Sequence, residues 1–313
     1  MTLRRGIERP ILWSMRGSWL LPFLLVLPGL ARAAGGEEKG LRISAAARFA
    51  PVAAVVLIVV ACPEPPVRVV AMAFGRKVVF YPDPDGKTWR GLVGIDLETR
   101  PGDYIVTIEA SRPGWPALTA MHRLRVSRTR FPTRRLRVAE RYVNPPAGIV
   151  ERIQRESQRL RAIFEDVTPR RWDGPFLSPV NDNPTGNFGA RSLFNGQPRN
   201  SHAGVDFMSA DGTPIRAPNA GQIVLAEDLF FTGNTVIVDH GLGLYSLFAH
   251  LSRIDVQHGQ AVEPGETVGL VGATGRATGP HLHWAVRLSG ARVDPFSLIA
   301  ALETSAATQA SQR

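Results

Sequence analysis

The sequence predicts a mainly β protein with an N-terminal β-sandwich of Ig-like type, a helical linker and a C-terminal antiparallel β-sheet domain. Three observations predict it. Short β-branched runs are punctuated by turn signals over residues 45–130, a helical repeat of apolar positions follows, and strands separated by glycine turns resume over 176–303. At 313 residues with 44% apolar and 20% charged residues, the chain can bury a sizeable core, which excludes wholesale disorder. The single cysteine, Cys62, excludes an intramolecular disulfide framework and any cysteine-built metal site, so a metal here needs His and carboxylate ligands.

Residues 1–33 read as an export signal. Arg4, Arg5, Arg9 and Arg16 precede the apolar stretch Trp19 to Leu27, and Ala31-Arg32-Ala33 supplies a small-residue cleavage pattern. Pro22 and Pro28 interrupt that stretch, so no stable membrane insertion is expected after cleavage. The formal charge is +10, and five arginines and one glutamate lie in the signal, so the remaining 280 residues carry +6. Nucleic acid is therefore not the expected partner.

In the sandwich, the expected strands are Val52 to Ala61, Val67 to Phe74, Lys77 to Tyr81, Trp89 to Leu97, Tyr104 to Ala110 and Ala120 to Val126. Val55 to Val60 is nearly all β-branched and stops at Pro63, which reads as a buried strand, although Val59-Val60-Ala61-Cys62 also has the form of a lipid-acylation box. His122, in an arginine-rich strand, is expected to be solvated. Residues 131–175 form the linker. Ile149, Ile153, Leu160, Ile163 and Phe164 recur at helical spacing between charges of mixed sign, predicting an amphipathic helix over Ala147 to Asp166 with a solvated polar face.

In the C-terminal half the histidines matter most. A strand through His202-Ala203-Gly204-Val205-Asp206-Phe207 puts His202 and Asp206 on one face, about 13 Å apart unless Gly204 bends it. In His281-Leu282-His283-Trp284-Ala285-Val286-Arg287-Leu288, alternation buries Leu282, Trp284, Val286 and Leu288 and turns both histidines to the other face, about 7 Å apart. In Leu244 to Leu251, residues Leu247, Ala249 and Leu251 share one face, leaving His250 beside Phe248 on the other. His240 and His258 each precede a glycine and read as turn residues. Gly272 to Pro280 lacks the G-K-[ST] of a phosphate loop and reads as the bend that delivers His281. Residues 304–313 read as a tail.

The ordered motifs H-x-G-x-D-F, G-N-T-V-I-V-D-H-G, L-Y-S-L-F-A-H-L-S, T-G-x-x-T-G-P-H-L-H and V-D-P, over about residues 185 to 300, resemble the lysostaphin-type (LytM-domain) zinc metallopeptidases. The resemblance implies one Zn2+ held by His202, Asp206 and His283, with His250 and His281 assisting catalysis. It implies a peptidoglycan endopeptidase acting on stem peptides and cross-links, exported to the periplasm or cell envelope of a bacterium. Phe248 stands where many relatives carry a tyrosine. Independently of the name, two imidazoles and a carboxylate leave a tetrahedral ion one open position, as a catalytic site requires. With no H-E-x-x-H helix, a histidine is the natural general base. Two competing readings are a non-catalytic adaptor of the same fold that activates a cell-wall amidase, and a wall-binding module with structural zinc. Phe188 to Arg191 and Phe194 to Gly196 are expected to line the groove, with Arg191 meeting a substrate carboxylate.

Overall fold

The computed structural model describes residues 40–45 and 48–310, and the expected signal over 1–33 lies outside the described residues. The N-terminal half is a sandwich of two sheets. One has the strand order Arg42–Ala45, Val55–Ala61, Thr88–Gly94, Tyr81–Pro82, and the other Phe49–Pro51, Leu118–Ser127, Gly102–Ser111, Arg68–Ala73, Arg76–Val79. Val56, Ile58 and Val60 point into the core between them, with Val69, Ile108 and Leu124 opposite. Val55 and Leu57 face the other way, into the core of the C-terminal half. The uninterrupted apolar run is thus a strand buried on both faces. It begins at Val55 rather than Val52, because Ala53 adopts a φ of +70° and turns the chain just before it. His122 is half-buried rather than solvated. Its Nε2 has no hydrogen-bond partner, and burial together with the Arg48 charge pushes its pKa down.

The C-terminal half is built on a sheet ordered Val205–Phe207, Leu282–Leu288, Leu244–Leu251, Gly233–Gly241, Gly221–Leu229, Ala261–Val262, with Ala291–Val293 pairing with Leu282–Leu288. A smaller sheet of Pro214–Arg216, Thr267–Leu270 and Arg253–Ile254 belongs to the same half. Ile215 and Val268 of this sheet share one core with Val236, Phe248, Trp284 and Val286 of the larger. The opposite face of the large sheet carries Leu225, Ile237, Leu247, Ala249 and Ala285, against which Leu160, Ile163 and Phe164 of the Ala147–Glu165 helix pack. The polar face is exposed as expected, and some of its charges also pair across it: Arg152 with Glu156 and Asp228, and Arg159 with Glu227. Among the described residues, no helix is long and apolar enough to cross a membrane.

Residues 304–310 of the expected tail belong to a helix, Pro295–Ala310, and the rest of it lies outside the described residues. Asp294 Oδ1 accepts the Phe296 N–H at 3.0 Å and Pro295 opens the first turn, so the capping signal sits in the V-D-P segment itself. Leu298, Ala301 and Leu302 seat this helix in the main core together with Val55 and Leu57, so the two β regions share buried apolar surface.

A polar clamp adds to that seam. Arg292 donates to Asp96 from its backbone nitrogen and both Nε and Nη2, at 2.9, 3.1 and 2.7 Å. Burial works against the charged carboxylate, but the Arg292 hydrogen bonds prevail and hold Asp96 at about 2. A carboxyl lowered from its ordinary value of about 3.9 contributes stability above that pH, and loses it as pH falls toward the folded value. Asp96→Asn is therefore expected to cost about 1–3 kcal/mol at neutral pH. It should also flatten the acid limb of the melting-temperature profile below about pH 4, as thermal melts across pH will show.

Candidate metal centre

The site forms where the short Val205–Phe207 strand meets Leu282–Leu288. Asp206 lies directly across from His283 in the antiparallel register, so their side chains emerge together on the same face of the sheet. His202 does not continue that strand. It precedes it, held by backbone bonds His202 N–H to Ala190 O and Gly189 N–H to His202 O. The expected separation of a straight strand is therefore lost, and His202 Nε2 lies 3.0 Å from Asp206 Oδ1. His283 Nδ1 lies 2.8 Å from the same oxygen and 3.0 Å from His202 Nε2. Gly204 makes the approach possible, because a Cβ there would stand 2.6 Å from His283 Cε1 and Nε2 and 2.7 Å from the Trp284 carbonyl.

These three donor atoms fit a divalent ion. Ligands about 2.0 Å from a tetrahedral zinc lie about 3.3 Å from one another, and the triangle here is only slightly tighter. His202 Nδ1 donates to the Asn187 carbonyl at 3.2 Å, which leaves Nε2 as the lone-pair nitrogen. Burial pushes His202 down to about 4, so it is neutral at working pH, as a ligand must be. Burial raises the Asp206 carboxyl, but the His202 and His283 imidazoles set against its Oδ1 outweigh it and hold it far below the carboxylate range. Its second oxygen accepts from Asn187 Nδ2 at 2.6 Å and Arg134 Nη1 at 3.3 Å.

His250 reaches the same place by a route the alternating pattern does not contain. The pairing between Leu244–Leu251 and Gly233–Gly241 shifts register at this end, and His250 adopts a φ of +68°. The bulge turns His250 to the face of Ala249 and Leu247, while Leu251 joins Phe248 in the main core. The expected partition, His250 with Phe248 against Leu251, is therefore reversed. Phe248 is fully buried there, so the tyrosine-to-phenylalanine difference lies in the core. The His250 ring centroid is 4.7 Å from His281 and 6.1 Å from His283. His250 Nδ1 donates to Thr274 O and His281 Nδ1 to Gly279 O, both at 2.8 Å, so each keeps Nε2 as a lone-pair acceptor. Burial, followed by the neighbouring His283 and His281, pushes His250 down to about 3.

A cleft of about 270 Å³ opens over these five residues, with Arg134, Leu136, Phe194, Phe231 and Arg276 among its walls. Arg191 is not in the wall but exposed, because alternation along Arg191–Phe194 turns Ser192 and Phe194 inward. Two other arginines line the cleft: Arg276, and Arg134 from the linker, where Thr133–Leu136 pairs in parallel with Arg191–Phe194 and sets Arg134 beside Ser192. The Ala147–Glu165 helix is not part of the cleft lining. Asn187 and Arg134 were not legible as site residues, since neither belongs to the histidine motifs. His258 lies in a turn as expected. His240 instead ends the Gly233–Gly241 strand, fully buried, with Nδ1 bonded to Ala220 O and Nε2 to Ser246 Oγ.

The fold and the site define a class: an antiparallel β domain presenting two imidazoles and one carboxylate as a donor set, with two further histidines alongside. Residues 200–295 match Peptidase family M23. A Pseudomonas aeruginosa protein assigned to peptidase M23 has a crystal structure similar to this one at 35% identity and a TM-score of 0.62, covering 78% of this chain and 93% of that one. The chain belongs to the M23 peptidase family. It is 43% identical over 109 residues to the DD-carboxypeptidase/endopeptidase Mpg of Neisseria meningitidis, covering 35% of this chain and 25% of Mpg. It is 40% identical over 93 residues to the peptidoglycan DD-endopeptidase ShyA of Vibrio cholerae, covering 30% of this chain and 22% of ShyA. The matched segment thus spans a quarter or less of these curated relatives.

Proposed function

We propose that the chain is an exported, zinc-dependent endopeptidase that hydrolyses peptide cross-links of peptidoglycan in the bacterial cell envelope. The catalytic domain would be residues 176–303, and the sandwich over 45–130 a second domain packed against it through the shared core. The observation that carries this reading is the convergence of His202 Nε2, Asp206 Oδ1 and His283 Nδ1 within about 3 Å of one another at the floor of an open cleft. Three protein donors leave a fourth position for chemistry, which a structural site would fill.

In this reading His202, Asp206 and His283 hold one zinc ion, which when bound acidifies a water and polarises a carbonyl. His250 and His281 handle the protons. Each has its Nδ1–H committed to a backbone carbonyl, so the ring is fixed and Nε2 faces its task as an acceptor. One takes the proton of the attacking water and returns it to the departing amine nitrogen. The other stabilises the oxyanion as an imidazolium, its Nε2 proton taken from solvent before the substrate binds. Asn187 and Arg134 orient Asp206 by occupying its second oxygen.

The test is digestion of purified sacculi by the full chain, with released fragments identified by mass spectrometry. Uncross-linked muropeptides should appear, vanish after chelation and return with zinc. Undiminished release in the presence of chelator would overturn the metal mechanism. Zinc binding with no release from any sacculus would instead favour the adaptor or wall-binding reading.

A further inference from the structure

Arg276 is a cation built into the cleft wall without an acid to neutralise it. Its guanidinium carbon stands 4.6 Å from the Phe194 ring centroid and 4.7 Å from that of Phe231, so it is held by two aromatic faces. Its backbone is equally fixed. Arg276 N–H donates to Phe231 O at 2.9 Å, and the preceding Gly275, with a φ of +67°, packs so closely that a Cβ would stand 2.3 Å from Gly233 N. Burial, then the charges of Arg199 and Arg134, push Arg276 down to about 10, and among the described residues no acid is paired with it. Arg134, also in the cleft lining, already gives its charge to Asp206. The cleft lining therefore holds two arginines and a single acid, Asp206, before any metal charge is added.

A positioned guanidinium with an unused fork, in a cationic cleft, is a receptor for a planar oxyanion. We infer that Arg276 binds a free carboxylate of the substrate and thereby selects cross-links in which the carbon bearing the scissile amide nitrogen also bears a carboxylate. This rests on the hydrolase reading for what is cut. Cross-links through a diaminopimelate amine carry that carboxylate, whereas glycine bridges and lysine amines lack it.

The experiment compares two synthetic cross-linked stem-peptide dimers that differ only in this carboxylate, free in one and amidated in the other. The zinc-loaded full chain is assayed for kcat/KM on both. Binding of their uncleavable ketomethylene analogues is measured by calorimetry. The free carboxylate should be preferred by about 10- to 100-fold in both readouts. R276Q should abolish the preference by losing only on the carboxylate dimer, with the amidated dimer unchanged within about threefold. R276K, which keeps the charge but not the fork, should retain an intermediate preference and serves if R276Q fails to fold. Equal affinity and turnover for the two dimers by the unmodified chain, or equal losses on both in the variants, would overturn the inference and leave Arg276 as a packing cation. Binding preference without turnover would retain Arg276 as the receptor and discard the hydrolase. Turnover without preference would do the reverse.

Discussion

His202→Ala is expected to abolish zinc retention and hydrolysis together while leaving the fold intact. The variant removes one of three donor atoms that sit about 3 Å apart, and Asp206 loses one of the two imidazoles that stabilise its charge. Even the outer partners of a metal ligand are worth about 10- to 100-fold in affinity, so loss of a ligand should exceed about 100-fold. The fold should survive because His202 precedes the Val205–Phe207 strand, and its structural bonds to Ala190 and Gly189 are made by the backbone. Zinc stoichiometry by elemental analysis, circular dichroism and muropeptide release together check this. Full zinc occupancy in the variant would remove His202 from the ligand set.

His250→Ala separates binding from chemistry. His250 faces the cleft without joining the close triangle of donors, so the variant should keep stoichiometric zinc and lose about 10²- to 10⁴-fold in kcat. The left-handed backbone at this position is strained for alanine as it is for histidine, and the bonds from His250 N–H to Thr232 O and from Thr274 N–H to His250 O do not use the side chain. Stability should therefore change little. A variant that turns over at the normal rate would exclude His250 from proton transfer. Loss of zinc as well would make it a ligand instead.

The two histidines of the Leu282–Leu288 region were legible because alternation alone fixes their face: every second residue is apolar and the strand is regular. His250 was legible as a participant through the resemblance, but not as geometry. A register shift moves it to the opposite face from the one its pattern implies, and such a bulge arises from pairing with a neighbouring strand. His202 and Asp206 were legible as a pair, while the turn that closes their separation depends on space at Gly204 and on the 187–190 loop, neither of which has a local periodicity. Arg134 enters through a parallel pairing between segments 58 residues apart, which no short window of sequence records. The C-terminal helix is different: Asp294-Pro295 is an ordinary helix-start signal, but the Thr304-Ser305-Ala306-Ala307-Thr308-Gln309-Ala310 run that extends it carries no repeat of large apolar residues to mark a helix.

The most direct measurement is a zinc-edge anomalous difference map from crystals of the full chain. The account predicts a single strong peak within about 2.0–2.2 Å of His202 Nε2, Asp206 Oδ1 and His283 Nδ1, with His250 and His281 beside it but outside bonding distance. A peak on other residues, or none at saturating zinc, would contradict it.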